Sequence, residues 1–291
     1  MKTILILLLS GSLALSAAEV TPVDDATRTN LNLDPFYQQQ IKVGGFAIVS
    51  SDKVSDFAMK EAASIVGSML KDRPDVLKAL NDEKVRLAIM AIDEFTSDVP
   101  EHSDLKPNEW WDKRARGLGP TKPRPAVSCG EENLLKLKGD PYFTENILVH
   151  EFAHAIHHAI NSIDKEFEPR LKKIFESAMK KELWKGKYAA SNFSEYWAEC
   201  VQSYFGDNRE NDHDHNHVNT RPELKEYDPD AYALVDETFK GSEWQYVSPL
   251  ERKELAHLEE FDRENAPEFA WPERLKNVKT ERFQNRLKKG K

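Results

Sequence analysis

Cysteine is almost missing from this sequence, with two residues, Cys129 and Cys200, in 291. That excludes a disulfide-stapled mini-scaffold, and also a zinc ribbon, whose site needs four ligands. A surplus of positive charge is missing too: Lys and Arg number 41 against 50 Asp and Glu, for a formal net charge of −9. A nucleic-acid-binding surface needs clustered Lys and Arg, so no nucleic-acid partner is expected. There is no internal repeat, and no low-complexity tract beyond a His-rich stretch at residues 213–217. Long apolar runs are confined to the extreme N-terminus. What is there is 40% hydrophobic and 10% aromatic, enough for a packed core and too much for global disorder.

Met1-Lys2 supplies a short positive start, residues 3–18 carry no charge, and Ser16-Ala17-Ala18 puts small residues ahead of Glu19. This is the pattern of a cleavable signal peptide over residues 1–18. Its most apolar stretch, residues 4–9, is too short to span hydrocarbon, which takes about 20 apolar residues. A retained N-terminal anchor is the alternative. Export to a secreted or periplasmic location is expected, with no membrane contact after signal cleavage. An oxidising compartment makes Cys129 and Cys200 candidates for one disulfide, the alternative being two buried thiols.

Residues 19–40 are polar and read as a loose lead-in. Residues 46–49 (FAIV) and 85–92 (VRLAIMAI) have the pattern of buried strands. Between them, apolar residues from Val54 to Leu70 recur at helical spacing, and Pro74 marks an end or kink. Residues 96–130, with Trp110-Trp111, Pro107, Pro120, Pro123, Pro125, Gly117 and Gly119, read as a long ordered loop or an irregular edge, of the kind that carries binding surfaces. Helices are predicted near 143–162, 165–183, 193–206 and 229–240. A charged tail from residue 248 has apolar residues at helical intervals. The expected fold class is α+β, with a small front β-sheet and a mostly helical C-terminal half.

The chemistry is concentrated at His150-Glu151-Phe152-Ala153-His154, an H-E-x-x-H. Residues i and i+4 share a helix face, so both imidazoles can hold one ion and Glu151 can reach water beside it. A catalytic zinc wants a third protein ligand and an open position. His157 and His158 lie one turn too far along the helix, and the positions where a metzincin needs Gly and His hold His157 and Ile160. Glu195 and Glu199 are again i and i+4, on a segment that Ser191 or Ser194 could cap. Glu195 can bind the metal while Glu199, four residues on, hydrogen-bonds a ligand histidine and fixes its tautomer.

HEFAH, followed by Tyr188-x6-Glu195-Tyr-Trp-Ala-Glu199, resembles the catalytic domain of the anthrax lethal factor family of gluzincin-type zinc metallopeptidases, which includes bacterial Pro-Pro endopeptidases. The resemblance covers roughly residues 140–207. The pattern along the chain gives one catalytic-sized domain over residues 41–247, zincin-like by this resemblance, followed by a charged helical extension over 248–291. The resemblance further implies Zn2+ on His150, His154 and Glu195, Glu151 as general base, and Tyr188 as the donor to the developing oxyanion. The implied substrate is a protein or peptide. A non-catalytic zincin-fold binding protein and a zinc hydrolase of a non-peptide amide are the alternatives.

In an extended chain His213, His215 and His217 would share a face and could bind a second metal. As a calcium loop, Asp212, Asp214, Asn216 and Glu223 take suitable positions, but His217 sits where the loop wants Gly. The third reading is a polar surface loop whose side chains bond one another.

Overall fold

The computed structural model describes residues 19–252 and 256–280. The expected signal peptide, residues 1–18, lies outside them, as does the basic end at 281–291. Both predicted strands form: β3 (Phe46–Ser50) and β4 (Arg86–Met90) are buried along their whole length and pair in parallel. A strand covered on both faces needs no polar alternation, which is why they read as continuous apolar runs.

Ahead of β3, β2 (Gln39–Val43) makes an antiparallel hairpin through Gly44-Gly45. Both glycines take positive φ, +52° and +86°, as a two-residue hairpin loop demands. The full sheet has the order β1-β2-β3-β4-β6-β5, with β1 (Thr21–Pro22), β5 (Gly117–Leu118) and β6 (Ala126–Gly130).

The loose lead-in is a correction. Residues 19–40 hold β1 and helix α1 (Asp25–Leu31), whose N-terminus is capped by the Asp24 carboxylate. Leu31, Leu33 and Tyr37 bury against Ala47, Val49, Ala88 and Met90 on one face of the sheet. The segment reads as polar because only a few of its side chains turn inward to close that face. On the other face Phe46, Ile48, Leu87 and Ile89 join the main core under α2 (Asp56–Met69) and α3 (Pro74–Asp82). Pro74 begins α3, where its missing N–H costs nothing.

The segment 96–130 is also more regular than expected. It contains α4 (Asn108–Arg114), β5 and the fully buried β6, whose short Ala-Val-Ser-Cys-Gly run is too weakly apolar to announce a strand. A one-turn helix, α5 (Glu131–Leu134), follows directly. The disulfide expectation is overturned: Cys129 on β6 and Cys200 are both free thiols. Each is fully enclosed, with α6 (Ile147–Ile163) packed against both of their elements, and burial pushes both thiols well up from their ordinary range.

The C-terminal half is helical as predicted. α6 is followed by α7 (Phe167–Lys180), α8 (Phe193–Phe205), α9 (Arg221–Tyr227), which the sequence did not suggest, and α10 (Pro229–Thr238). Trp197, Phe205 and Phe239 pack between these helices, with the Trp197 and Phe239 rings stacked at 6.3 Å. Burying each such ring contributes about 2–3 kcal/mol.

The tail is not the expected helical extension. Among the described residues beyond 248 it holds only a single 3-10 turn and α11 (Glu273–Lys276). It runs as a strap instead. Arg252 and His257 both engage the buried Glu61 on α2, Arg263 donates to the Leu135 carbonyl at 2.7 Å, and Arg274 pairs with Asp112 on α4 at 2.7 Å. Polar anchors to fixed partners, rather than a helical stripe, hold it down. No helix among the described residues is long and apolar enough to cross a membrane.

Candidate metal centre

Asn146 caps α6 by accepting from the Leu148 N–H at 3.0 Å, so the helix starts one residue later and not at 143. Leu148, Phe152, Ala155, Ile156 and Ala159 are buried in the core. That fixes the rotation of the helix and turns His150, Glu151 and His154 together toward a cleft. One donor atom from each of these three lies within 4.8 Å of the others.

α8 delivers the third candidate ligand. Its N-cap is Asn192, not Ser191 or Ser194, and the Asn192 side chain accepts from the N–H groups of Ser194 and Glu195. A Trp197 indole N–H to the Ala153 carbonyl, at 2.8 Å, locks α8 onto α6. Glu195 Oε2 then stands 3.1 Å from His150 Nε2 and 3.5 Å from His154 Nε2. Ligand atoms around a tetrahedral zinc at bond lengths near 2.1 Å are about 3.4 Å apart, so both Glu195 separations fit that ion.

The electrostatics agree. Burial alone would push the His150 imidazole down, but the carboxylates of Glu195, Glu151 and Glu199 outweigh it and hold its pKa up at about 10. Burial would raise the Glu195 carboxyl, yet the two imidazoles drive it well below the usual carboxylate range. Carboxylates gathered around the imidazoles favour positive charge at this point, whether a proton on His150 or a bound metal ion supplies it.

The outer contacts differ in part from expectation. The partner of His150 Nδ1 is Gln202 Oε1 at 2.7 Å, while Glu199 Oε1 is 3.6 Å away. With Nδ1–H donated to Gln202, the Nε2 lone pair is left for a metal. Gln202 was legible: 195, 199 and 202 are i, i+4 and i+7 on one helix stripe. Ser194 Oγ lies 3.0 Å from His154 Nδ1, doing for the second histidine what Gln202 does for the first.

Tyr188 opens a 3-10 turn just ahead of α8 and lines the cleft beside Glu151, its ring 6.2 Å from that of His150. The cleft, about 280 Å³, is walled on its far side by β5 and Gly119. A Cβ on Gly119 would stand 2.8 Å from His154 Cβ, and one on Gly117 would strike Ile147. Only glycine lets this edge strand approach the ligand helix so closely. His157 stays away from the centre as the helical spacing requires, buried among Phe167, Phe193 and Trp197.

The three histidines of the His-rich stretch do not share a face. His213 pairs with Asp214 at 2.8 Å, and His217 meets the Tyr227 ring edge-on at 5.4 Å. His215 turns inward to Asp212 at 3.0 Å and Glu199 at 3.2 Å. The calcium reading fails because its oxygens are already committed. Asp212 Oδ1 accepts from Asp214 N–H and His215 N–H, Asn216 Oδ1 from Val218 N–H, and Glu223 caps α9 with Thr220. The segment is a structured turn whose side chains bond one another.

The family model described as anthrax toxin lethal factor, N- and C-terminal domain, matches residues 47–238, well over half of the chain. Among solved structures, the chain is similar to the Pro-Pro endopeptidase (PPEP-2) from Paenibacillus alvei, at 20% identity and a TM-score of 0.37, over 65% of this chain and 95% of that one. No curated protein matches the chain.

Proposed function

We propose that this chain, which belongs to the anthrax toxin lethal factor family, is an exported zinc metalloendopeptidase that hydrolyses peptide bonds within a protein or peptide. The observation that carries the reading is the Glu195 oxygen lying 3.1 and 3.5 Å from the two imidazole nitrogens of the H-E-x-x-H. His150, His154 and Glu195 would hold the ion. When bound, zinc polarises a carbonyl and lowers the pKa of water toward about 7.

Glu151, on the cleft side of the same helix, takes the proton of the attacking water and delivers it to the departing amine nitrogen. Tyr188 donates a hydrogen bond to the oxyanion as it develops. The outermost strand, β5, lines the cleft, so an extended peptide can add to the sheet there and lie across the centre. Export is supported by the charge and small-residue pattern of residues 1–18, giving a secreted or periplasmic enzyme.

The test is metal analysis of the purified chain combined with cleavage of a diverse peptide library, before and after chelation and zinc return. About one zinc per chain is expected, with cleavage lost on chelation and regained with zinc. Zinc without cleavage anywhere in the library would favour a binding protein, and no zinc would overturn the ligand assignment. The wall makes a further prediction. Gly119→Ala should lower kcat/KM on the order of 10–100-fold by displacing His154 or the strand, without unfolding the chain. Steady-state kinetics beside a thermal melt checks it, and unchanged kinetics would count against the close approach of β5.

A further inference from the structure

The turn at residues 211–217 lies outside every motif of the centre, yet its one buried side chain, His215, reaches Glu199 beside it. We propose that this turn is a positioning element for the metal centre, with His215 clamped between Asp212 and Glu199 so that Glu199 and Gln202 hold His150 in its ligating orientation. The proposal rests on the zinc reading above.

The contacts form a closed ring. From His150 Nδ1 it runs to Gln202 at 2.7 Å, and from Gln202 Nε2 to Glu145 at 3.4 Å. Glu145 faces Arg209 at 3.2 Å, and Arg209 faces Asp212 at 3.2 Å. Asp212 meets His215 Nδ1 at 3.0 Å, and His215 Nε2 meets Glu199 at 3.2 Å. Glu199 closes it, 3.6 Å from His150. The side chains of His215 and Glu199 are each only 2% exposed, so neither can trade its partner for water.

A buried carboxylate without a partner is costly, and one with loose partners does not stay in place. Glu199 has two besides His150: His215, and the Asn208 amide at 3.1 Å. His215 in turn faces a carboxylate from each ring nitrogen, which leaves the imidazole a single orientation. The turn that presents it is built around one atom. Asp212 Oδ1 accepts from the N–H groups of Asp214 at 2.7 Å and His215 at 2.8 Å, as well as contacting the His215 ring.

The same turn also touches the other side of the cleft. The Tyr188 N–H donates to the Asp214 carbonyl at 2.7 Å, and Lys187 Nζ donates to the Asp212 carbonyl at 2.9 Å. One seven-residue turn therefore sets both the ring of a candidate ligand and the backbone of the candidate oxyanion donor. His213 and His217, which face Asp214 and Tyr227, take no part in the ring.

The test compares His215→Ala, Asp212→Asn and His213→Ala with the parent chain. Zinc affinity is measured by competition with a chromophoric chelator, and the visible spectrum of the cobalt-substituted protein reports ligand geometry. Melting of the metal-free proteins identifies a temperature at which each is folded. Both His215→Ala and Asp212→Asn should weaken zinc binding about 10–100-fold and alter the cobalt bands, as loss of an outer partner does. His213→Ala should change neither. Where a peptide is cleaved, kcat should fall with KM nearly constant.

Asp212→Asn, which keeps the size of the side chain, decides the matter if His215→Ala does not fold. Unchanged zinc affinity and cobalt spectrum in a folded variant would overturn the positioning role while leaving the peptidase reading intact. A parent chain that binds no zinc would overturn both.

Discussion

Glu151→Gln should retain about one zinc per chain and lose 10²–10⁴-fold or more in kcat, the range a positioned general base supplies. The substitution keeps size and shape but removes the only feature the mechanism needs there, an oxygen able to take a proton from water and give it up again. Glu151 is not part of the ring that orients His150, nor does it cap or anchor α6. Folding and metal content should therefore survive, and a metal-binding site with no turnover should remain. The measurement is cleavage of the best library peptide alongside zinc analysis and a thermal melt. Retained turnover within tenfold of the parent would sink the assignment of the base.

Arg116→Ala should produce the largest loss of stability of any single substitution near the cleft. Arg116 and Glu132 are both fully buried and joined by two bonds, Nε to Oε1 at 2.6 Å and Nη2 to Oε2 at 2.8 Å. The guanidinium also donates to the carbonyls of Glu94 and Ala91, and the rings of Phe95 and Phe269 each stand 5.1 Å from it. Truncation strands the Glu132 carboxylate in the interior, at a cost of about 3–5 kcal/mol. For a chain of this size that lowers Tm by about 10 °C. Replacing both partners by leucine should recover much of the loss, because two apolar groups leave no charge behind. Calorimetry on the single and double variants checks this; a single variant melting within about 2 °C of the parent would contradict it. Arg116 immediately precedes β5, so the same truncation should loosen the cleft wall.

The parts of the centre carried by local spacing were legible in the sequence. His150 and His154 fall one helical turn apart, and so do Glu195 and Glu199; the apolar stripe of α6 already says which way the first pair faces. Tyr188 stood out only through the family resemblance, since nothing in its neighbourhood marks it. Gln202 lies on the same stripe as Glu195, but an amide carries no metal-binding signature.

What stayed hidden was set by contacts distant in sequence. Nothing local distinguishes His215 from His213 or His217; its role comes from meeting Glu199, on a different helix. The strand β6 is short and built of small residues, and it is a strand because β4 and β5 flank it. The helix α1 is obscured by its own polar outer face, and the thiols of Cys129 and Cys200 sit on two elements that each pack against α6 without forming a bridge.

The strap carries a consequence in time. Phe269 and Leu275 pack on Phe95, Arg274 holds Asp112, and Lys113 lies over the Trp271 ring at 3.9 Å, so the region around α4 and the approach to β5 is completed by residues 269–275. Those residues are synthesised more than a hundred positions after the H-E-x-x-H helix. In synthesis from the N-terminus, the candidate ligands His150, His154 and Glu195 therefore all emerge before the segment that completes the cleft wall.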